Sequence, residues 1–359
     1  MDLPVVLSHK TAWQLYHSRA VIERRAMWPS SAHEPLTRPG GAAAALSIDP
    51  AKTPADLDPL FVDFGLGHVS TSPRAIALAL RQAASSFGIS RFGNDPLDLL
   101  VSFPSDRTGS KAVVTHVFGN LISSELVVPL APGALMVCEP LCFVQAATWM
   151  TQLELIEFGY ELCGRYTVIE NGDYIEHEPF LSRAGLRAWI DAHPHAPGAQ
   201  RARRALASIR DGSRSPMETG TAMMVACPRK LGGLGFRGFE LNKRIDIPRS
   251  FARFTASRHF DIDLFIPRAK TGVEYNGRAH EEALRSAHDA ERNSVLSMMG
   301  YTMFTLTRGQ FASQLKLHRA LNALAAACGI PVDRTAAFQD AQNKLRLFAI
   351  RRWPQDQIG

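Results

Sequence analysis

Apolar and polar positions alternate most cleanly between Phe260 and Gly277. Ile262, Leu264 and Ile266 take one set of positions and Asp261, Asp263 and Phe265 the other, which is the period of a strand. Pro267 to Gly272 carries turn chemistry, and Val273 and Tyr275 resume the alternation. A turn centred between Arg268 and Ala269 sets Asp263 directly opposite Glu274 on one face. Opposed residues have Cβ atoms about 5 Å apart, and like charges there destabilise a sheet. A slip of one residue would send the two carboxylates to opposite faces. In the expected register the pair calls for a cation, and hard oxygen ligands suit Mg²⁺. The other reading is a solvent-facing hairpin whose acids sit in water or beside Arg.

The remaining pattern predicts further elements. Leu3 to Arg25 reads as a strand and turn followed by a helix with Ser8 at its N-cap. Trp28 to Leu57, rich in Pro, Gly, Ala and Ser, reads as loop, and Ser72-Pro73 opens a helix that Gly88 closes. Leu97 to Phe103 and Val113 to Phe118 read as strands. Cys142 to Gly159 reads as one helix, with Phe143, Ala146, Ala147, Met150, Leu153 and Ile156 at helical spacing, and Arg183 to Ala192 as another. The Pro-rich break at His193 to Gly198 predicts a boundary between domains 1–198 and 199–359.

Beyond it, Gln200 to Arg210 sets Ala202, Ala205, Leu206 and Ile209 against Arg201, Arg203, Arg204 and Arg210, either a solvated helix face or a set of phosphate contacts. Ser215-Pro216-Met217-Glu218 opens a helix. Glu218 is there either the partner in a capping box or a third acid beside the hairpin. Lys230 to Gly238 is glycine-rich without the Gly-Lys-Ser/Thr ending of a phosphate loop, so it reads as turn. Ala283 to Met299 is a helix stopped by Gly300, Tyr301 to Leu306 a strand, and Gln310 to Cys328 and Asp333 to Arg352 are helices. The second domain thus runs helix, strand, strand, helix, strand, helix.

Composition narrows the picture. At 359 residues and 46% hydrophobic the chain can bury two cores. A net charge of +6, carried mostly by Arg, favours an anionic partner such as nucleic acid. Five cysteines argue against a disulfide framework and for a reducing compartment. No N-terminal signal and no stretch of about 20 apolar residues is present, so a cytoplasmic protein with no membrane span is expected.

His280 follows the second strand closely enough to move a proton or hold a leaving phosphate near Glu274, or it is a surface His at a helix start. With His288 and Asp289 it has the wrong spacing for a zinc site on one helical face. Arg292 can pair with Asp289 or reach a phosphate. Cys138, Cys142 and Cys163 lack a fourth ligand at a recognisable spacing, and no Ser/His/Asp or Cys/His arrangement stands out.

Ser213 to Phe311 resembles the nuclease-like domain related to very-short-patch-repair endonucleases, within the PD-(D/E)XK fold. The matching pieces are Ser215-Pro216-Met217-Glu218-Thr219, Asn242 before a strand, Asp261-Ile262-Asp263-Leu264, and Val273-Glu274-Tyr275-Asn276-Gly277-Arg278-Ala279-His280. Asp289-Ala290-Glu291-Arg292 and Gly300-Tyr301-Thr302-Met303 complete them. Leu3 to Ala207 resembles, in outline, the antitoxin region of abortive-infection systems, through Leu7-Ser8-His9-Lys10-Thr11-Ala12, Thr115-His116-Val117 and Val137-Cys138-Glu139-Pro140.

The resemblance implies an α/β chain. Its C-terminal part would be an α/β/α restriction-endonuclease-like domain with a mixed central sheet, preceded by an α+β region. It implies that Asp263 and Glu274 bind Mg²⁺ or Mn²⁺, that Glu218 completes the acidic cluster, and that DNA is the substrate, with Arg214, Lys270, Arg278 and Arg292 as contacts. Where the wider fold carries a Lys, this chain has Asn276, which cannot hold a proton as Lys can. His280 is the best substitute, or the domain binds DNA without cutting it, as a regulator or as an antitoxin with a cognate toxin protein in a phage-defence system.

Overall fold

The computed structural model describes residues 5–25, 96–108, 111, 113–120, 122–131, 134–169, 172–277 and 283–353. The expected loop at Trp28 to Leu57, the helix of Ser72 to Gly88, and Arg278 and His280 lie outside the described residues.

In chain order the elements are β1 (Val5–Leu7), α1 (His9–Tyr16), α2 (Arg19–Arg25), β2 (Leu97–Val101), β3 (Val113–Val117), β4 (Val127–Ala131), β5 (Ala134–Val137), α3 (Glu139–Ala146), α4 (Gln152–Cys163), β6 (Tyr166–Val168) and β7 (Tyr174–Glu176). There follow α5 (Arg183–Ala192), α6 (Ala199–Leu206), α7 (Pro216–Ala226), β8 (Glu240–Asp246), β9 (His259–Ile266), β10 (Thr271–Asn276), α8 (Ala283–Met298), β11 (Thr302–Thr307), α9 (Arg308–Ala312), α10 (Gln314–Ala327) and α11 (Ala336–Ala349). This is a mixed α/β chain. Among the described residues no helix is long and apolar enough to cross a membrane.

The chain forms two compact units that interleave. One comprises Met1–Met150, Ile169–Asn171 and Ala184–Arg203, the other Thr151–Val168, Gly172–Arg183 and Arg204–Gly359. The single boundary expected at 198/199 is therefore replaced by several crossings. Buried bonds within the second unit explain why α4 and β6 belong there. Tyr160 Oη donates to the Ser208 carbonyl and Tyr166 Oη to Thr219 Oγ1, each over 2.7 Å. The Glu157 carboxylate accepts from both Arg351 and Arg352.

In the first unit a five-stranded sheet has the order β3-β2-β1-β5-β4. The apolar runs Val5–Leu7 and Ala134–Val137 are wholly buried and pair in parallel, as strands covered on both faces do. The hairpin β4–β5 is absent from the sequence expectation. Pro129 suggests a break there, yet it lies on an edge strand, where a residue without N–H is tolerated. The single helix expected over Cys142–Gly159 is two helices, because Thr151 caps a new one. Its Oγ1 accepts from the Glu154 N–H and the Glu154 carboxylate accepts from the Thr151 N–H, a capping box.

The Arg residues of the next helix are mostly structural. Arg201 donates to the carbonyls of Ala147 and Met150, and Arg203 to Asp191. Arg210 donates to the Ile209 and Arg237 carbonyls. These bonds tie Arg201, Arg203 and Arg210 to the protein itself.

In the second unit a four-stranded sheet has the order β11-β10-β9-β8. β8, β9 and β10 are antiparallel neighbours, and β10 pairs in parallel with β11. A parallel pair needs a long crossover, and α8 supplies it. Ile245, Phe260, Ile262 and Phe265 of the sheet are buried with Val295 and Leu296 of α8. β8 runs through Asn242, which the resemblance sets before a strand, and the helix expected over Gln310–Cys328 is α9 and α10, broken at Ser313, which caps the second of them.

Candidate functional site

The hairpin register is the one its turn residues predict. Thr271 pairs with Ile266, Gly272 with Phe265 and Val273 with Leu264, as for a turn centred between Arg268 and Ala269. Pro267–Ala269 forms a single tight turn, and Lys270 closes it with φ +45°. One further step sets Glu274 level with Asp263, but the ladder ends at Val273. Instead the Asp263 carboxylate accepts from the Tyr275 N–H over 3.1 Å.

A third strand adds to this row. The β8–β9 register pairs Leu241 with Leu264 and Lys243 with Ile262, and steps past Asn242, which lies level with Asp263. Asn242 takes φ +47°, a left-handed conformation that Asn tolerates better than most residues. Its amide donates to the Glu218 carboxylate over 2.8 Å and to the Gly212 carbonyl over 2.8 Å. Glu218 stands in the first turn of α7, where Ser215 Oγ accepts from the Glu218 N–H over 3.2 Å. Its carboxylate also accepts from the Arg214 N–H over 2.9 Å. Glu218 is thus a cap partner and a neighbour of the hairpin at once: Asp263 feels its charge.

Asp263 is held well above the ordinary carboxylate range, at about 6. Burial is the largest cause, followed by the negative charge of Glu218. The Tyr275 N–H opposes the shift, Glu274 adds to it, and Arg292 opposes it. Glu274, on the neighbouring strand, is bonded to the Arg292 guanidinium, which reaches it from α8. Arg292 also donates to the Asp261 carbonyl over 2.6 Å and lies 5.7 Å from the centre of the Phe260 ring. Arg214 approaches the Asp261 carboxylate at 3.8 Å.

Of the residues named from sequence, the structure therefore brings Glu218, Asp263, Glu274 and Arg292 into one electrostatic cluster, with Arg214 beside it through Asp261. Asn276 is exposed at the end of β10, level with Thr307 of β11. Lys270 is exposed at the hairpin turn, four residues before Glu274. The sequence reading missed Asn242 as a partner of the site, although a lone Asn in a strand is a signal for positive φ. Arg292 was read as a partner of Asp289 or of a phosphate, and its bond to Glu274 needs the helix crossing that only the fold supplies.

The three acids offer carboxylate oxygens, the hard donor type that Mg²⁺ takes. Each acid also has a protein partner, and among the described residues no group of three or more His, Cys, Asp and Glu is gathered tightly enough to hold a metal ion. A cation at Glu274 would take over the place that the Arg292 guanidinium fills.

Comparison of the chain with protein-family models, with curated proteins and with solved structures returns no match.

Proposed function

We propose that the chain is a divalent-metal-dependent endonuclease that hydrolyses phosphodiester bonds in DNA, built on a restriction-endonuclease-like α/β/α core in its second unit. The observation that carries this reading is the largely buried carboxylate of Asp263, set where the β9–β10 ladder ends, held by the Tyr275 N–H and under the negative charge of Glu218 and Glu274. Natural sheets avoid opposed like charges unless something uses them.

Asp263 and Glu274 would hold Mg²⁺ or Mn²⁺, with Glu218 completing the cluster. When bound, the cation supplies a Lewis acid for the phosphodiester and a more acidic water. The chain's own groups do the rest. The Tyr275 N–H orients Asp263, and Asn242 orients Glu218. Arg292, held between Glu274 and the Asp261 carbonyl, would offer a positive charge to a phosphate. Asn276 holds no proton, so proton transfer falls to His280 in this reading.

Incubating the purified protein with plasmid and Mg²⁺ or Mn²⁺ tests the proposal. Cleavage by the native protein and none by Asp263→Ala is expected. Cleavage by both, or by neither, overturns the assignment of Asp263.

A second reading is a DNA-binding regulator, or an antitoxin acting with a cognate toxin protein, whose nuclease-like site does not cut. The observation favouring it is that Arg292 already neutralises Glu274. It predicts a salt-sensitive gel shift without cleavage.

A further inference from the structure

Within the second unit, at the turn end of the β9–β10 hairpin, lies an open groove of about 540 Å³ lined on one side by the 228–237 loop and on the other by residues 329–331. Three guanidinium groups border it, those of Arg229, Arg237 and Arg268, and no carboxylate does. The glycine-rich loop that builds one wall does not cradle an anion with its backbone. The N–H groups of Leu234, Gly235 and Phe236 are spent on the carbonyls of Met224, Cys227 and Val225. Gly232 keeps the loop pressed onto α11, since a Cβ there would meet the Ala341 carbonyl oxygen at 2.3 Å. The wall is thereby rigid and its recognition chemistry rests with side chains.

Two of those side chains are preorganised. Arg229 donates one N–H to the Pro331 carbonyl over 2.8 Å, and Arg268 one to the Cys328 carbonyl over 2.9 Å. The Arg268 guanidinium also lies over Phe236, 4.5 Å from the ring centre. A guanidinium has five donors in a fixed fork, so each bond to a carbonyl fixes the group and leaves donors for an anion. Among the described residues none of the three is ion-paired; the charge of Arg229 acts on Asp333, whose carboxyl is held low first by its bonds to Thr335. Three guanidinium groups around one groove, two of them held by carbonyls, match the repeating charge of a nucleic-acid backbone, for which Arg is the preferred planar donor.

We infer that this groove binds the phosphate backbone of DNA, independent of sequence, as a second anchoring surface on the hairpin whose acids form the candidate active site. The inference rests on the nuclease reading for the choice of polyanion. A strand rises about 3.4 Å per residue, so Arg268 stands on the order of 15 Å from Asp263 along the hairpin, a span of about four base pairs at 3.4 Å each. The groove therefore positions a duplex without touching the scissile bond.

Binding of a labelled duplex of arbitrary sequence to the full chain, followed by fluorescence anisotropy in EDTA across low to moderate salt, tests this. The triple variant Arg229→Gln, Arg237→Gln, Arg268→Gln is compared with Arg244→Gln, Arg249→Gln, Arg253→Gln, which removes equal charge from an exposed surface elsewhere in the unit. The groove triple is expected to lose at least tenfold in affinity and to flatten the log–log salt slope by about 2–3, since each phosphate contact contributes about 0.9. Should the triple fold poorly by circular dichroism, the single Arg237→Glu, whose side chain supports no carbonyl contact of the wall, carries the same expectation at about one contact. An unchanged affinity, or an equal loss in the control triple, overturns the groove while leaving the nuclease reading standing. No binding and no cleavage by the native protein overturns both.

Discussion

The side-chain amide of Asn242 holds the carboxylate of Glu218 at 2.8 Å from a left-handed backbone position level with Asp263. One residue thus joins the first turn of a helix to the row of polar groups across the sheet. Asn242→Ala is expected to lower stability by about 2 kcal/mol, combining a lost hydrogen bond with left-handed strain. Asn242→Gly loses the same bonds without the strain and should be less damaging by about 1 kcal/mol. Urea midpoints decide it: equal losses would mean that the backbone conformation contributes nothing.

Asp263 binds its proton more tightly in the folded chain than in the unfolded one, about 6 against the ordinary 3.8. Its contribution is therefore most favourable at acid pH and is lost as pH rises from about 4 to about 6. Asp263→Asn keeps an acceptor for the Tyr275 N–H and removes the charge, so it should stabilise the protein at neutral pH by about 1–2 kcal/mol while abolishing any metal-dependent cleavage. A variant less stable than the native protein at neutral pH would contradict the crowding of charge at this position.

Arg292 and Glu274 form an ion pair whose side chains are only 12% and 23% exposed. Removing one partner leaves the other poorly solvated. Arg292→Met is expected to cost about 2–3 kcal/mol, and Glu274→Gln on that background to recover part of the loss. A thermodynamic cycle over the four proteins measures the coupling; strict additivity would show that the pair carries none.

His9 makes a parallel case in the first unit. Its ring stacks on His116 at 3.5 Å between centres, and its Nδ1 lies 3.0 Å from Ser8 Oγ. Burial, then the neighbouring His116, pull its imidazole down to about 4, against a smaller opposing effect of Asp98. The folded chain refuses a proton that the unfolded chain accepts below 6.5, so stability from this group is present above that pH and is lost as pH falls towards 4. An imidazole resonance titrating near 4 is expected by NMR, and His9→Asn, compatible with its φ of +47°, should flatten the stability profile in that window. A midpoint near 6.5 would refute the burial of the ring.

How much of this was legible in the sequence differs between the two units. Pro267 fixed the turn and strict alternation fixed the phase, so the register as far as Val273 opposite Leu264 could be read, whereas the bond of Asp263 to the Tyr275 N–H beyond it could not. Arg183–Ala192 has a helical period with a Pro-rich stop, and its bounds were read correctly. Tertiary pairing was not readable. The run from Cys142 to Ile156 keeps its apolar spacing through a break, so periodicity hid what Thr151 and Glu154 announce. β8 begins Glu-Leu-Asn-Lys-Arg and lacks alternation because Asn242 leaves the ladder in its middle. Arg292 meets Glu274 only because α8 crosses the sheet to join parallel strands, a relation that no local spacing encodes.

The chain's repeated passage between its two units bears on how it is made. A fragment starting at residue 199 would carry Arg351 and Arg352 without Glu157, and the Ser208 carbonyl without Tyr160, so two cations and a buried acceptor would lose what satisfies them. Gene truncation at that apparent joint should yield insoluble product, and the unit that carries the three acids has to be synthesised together with residues that precede position 199 by about forty codons.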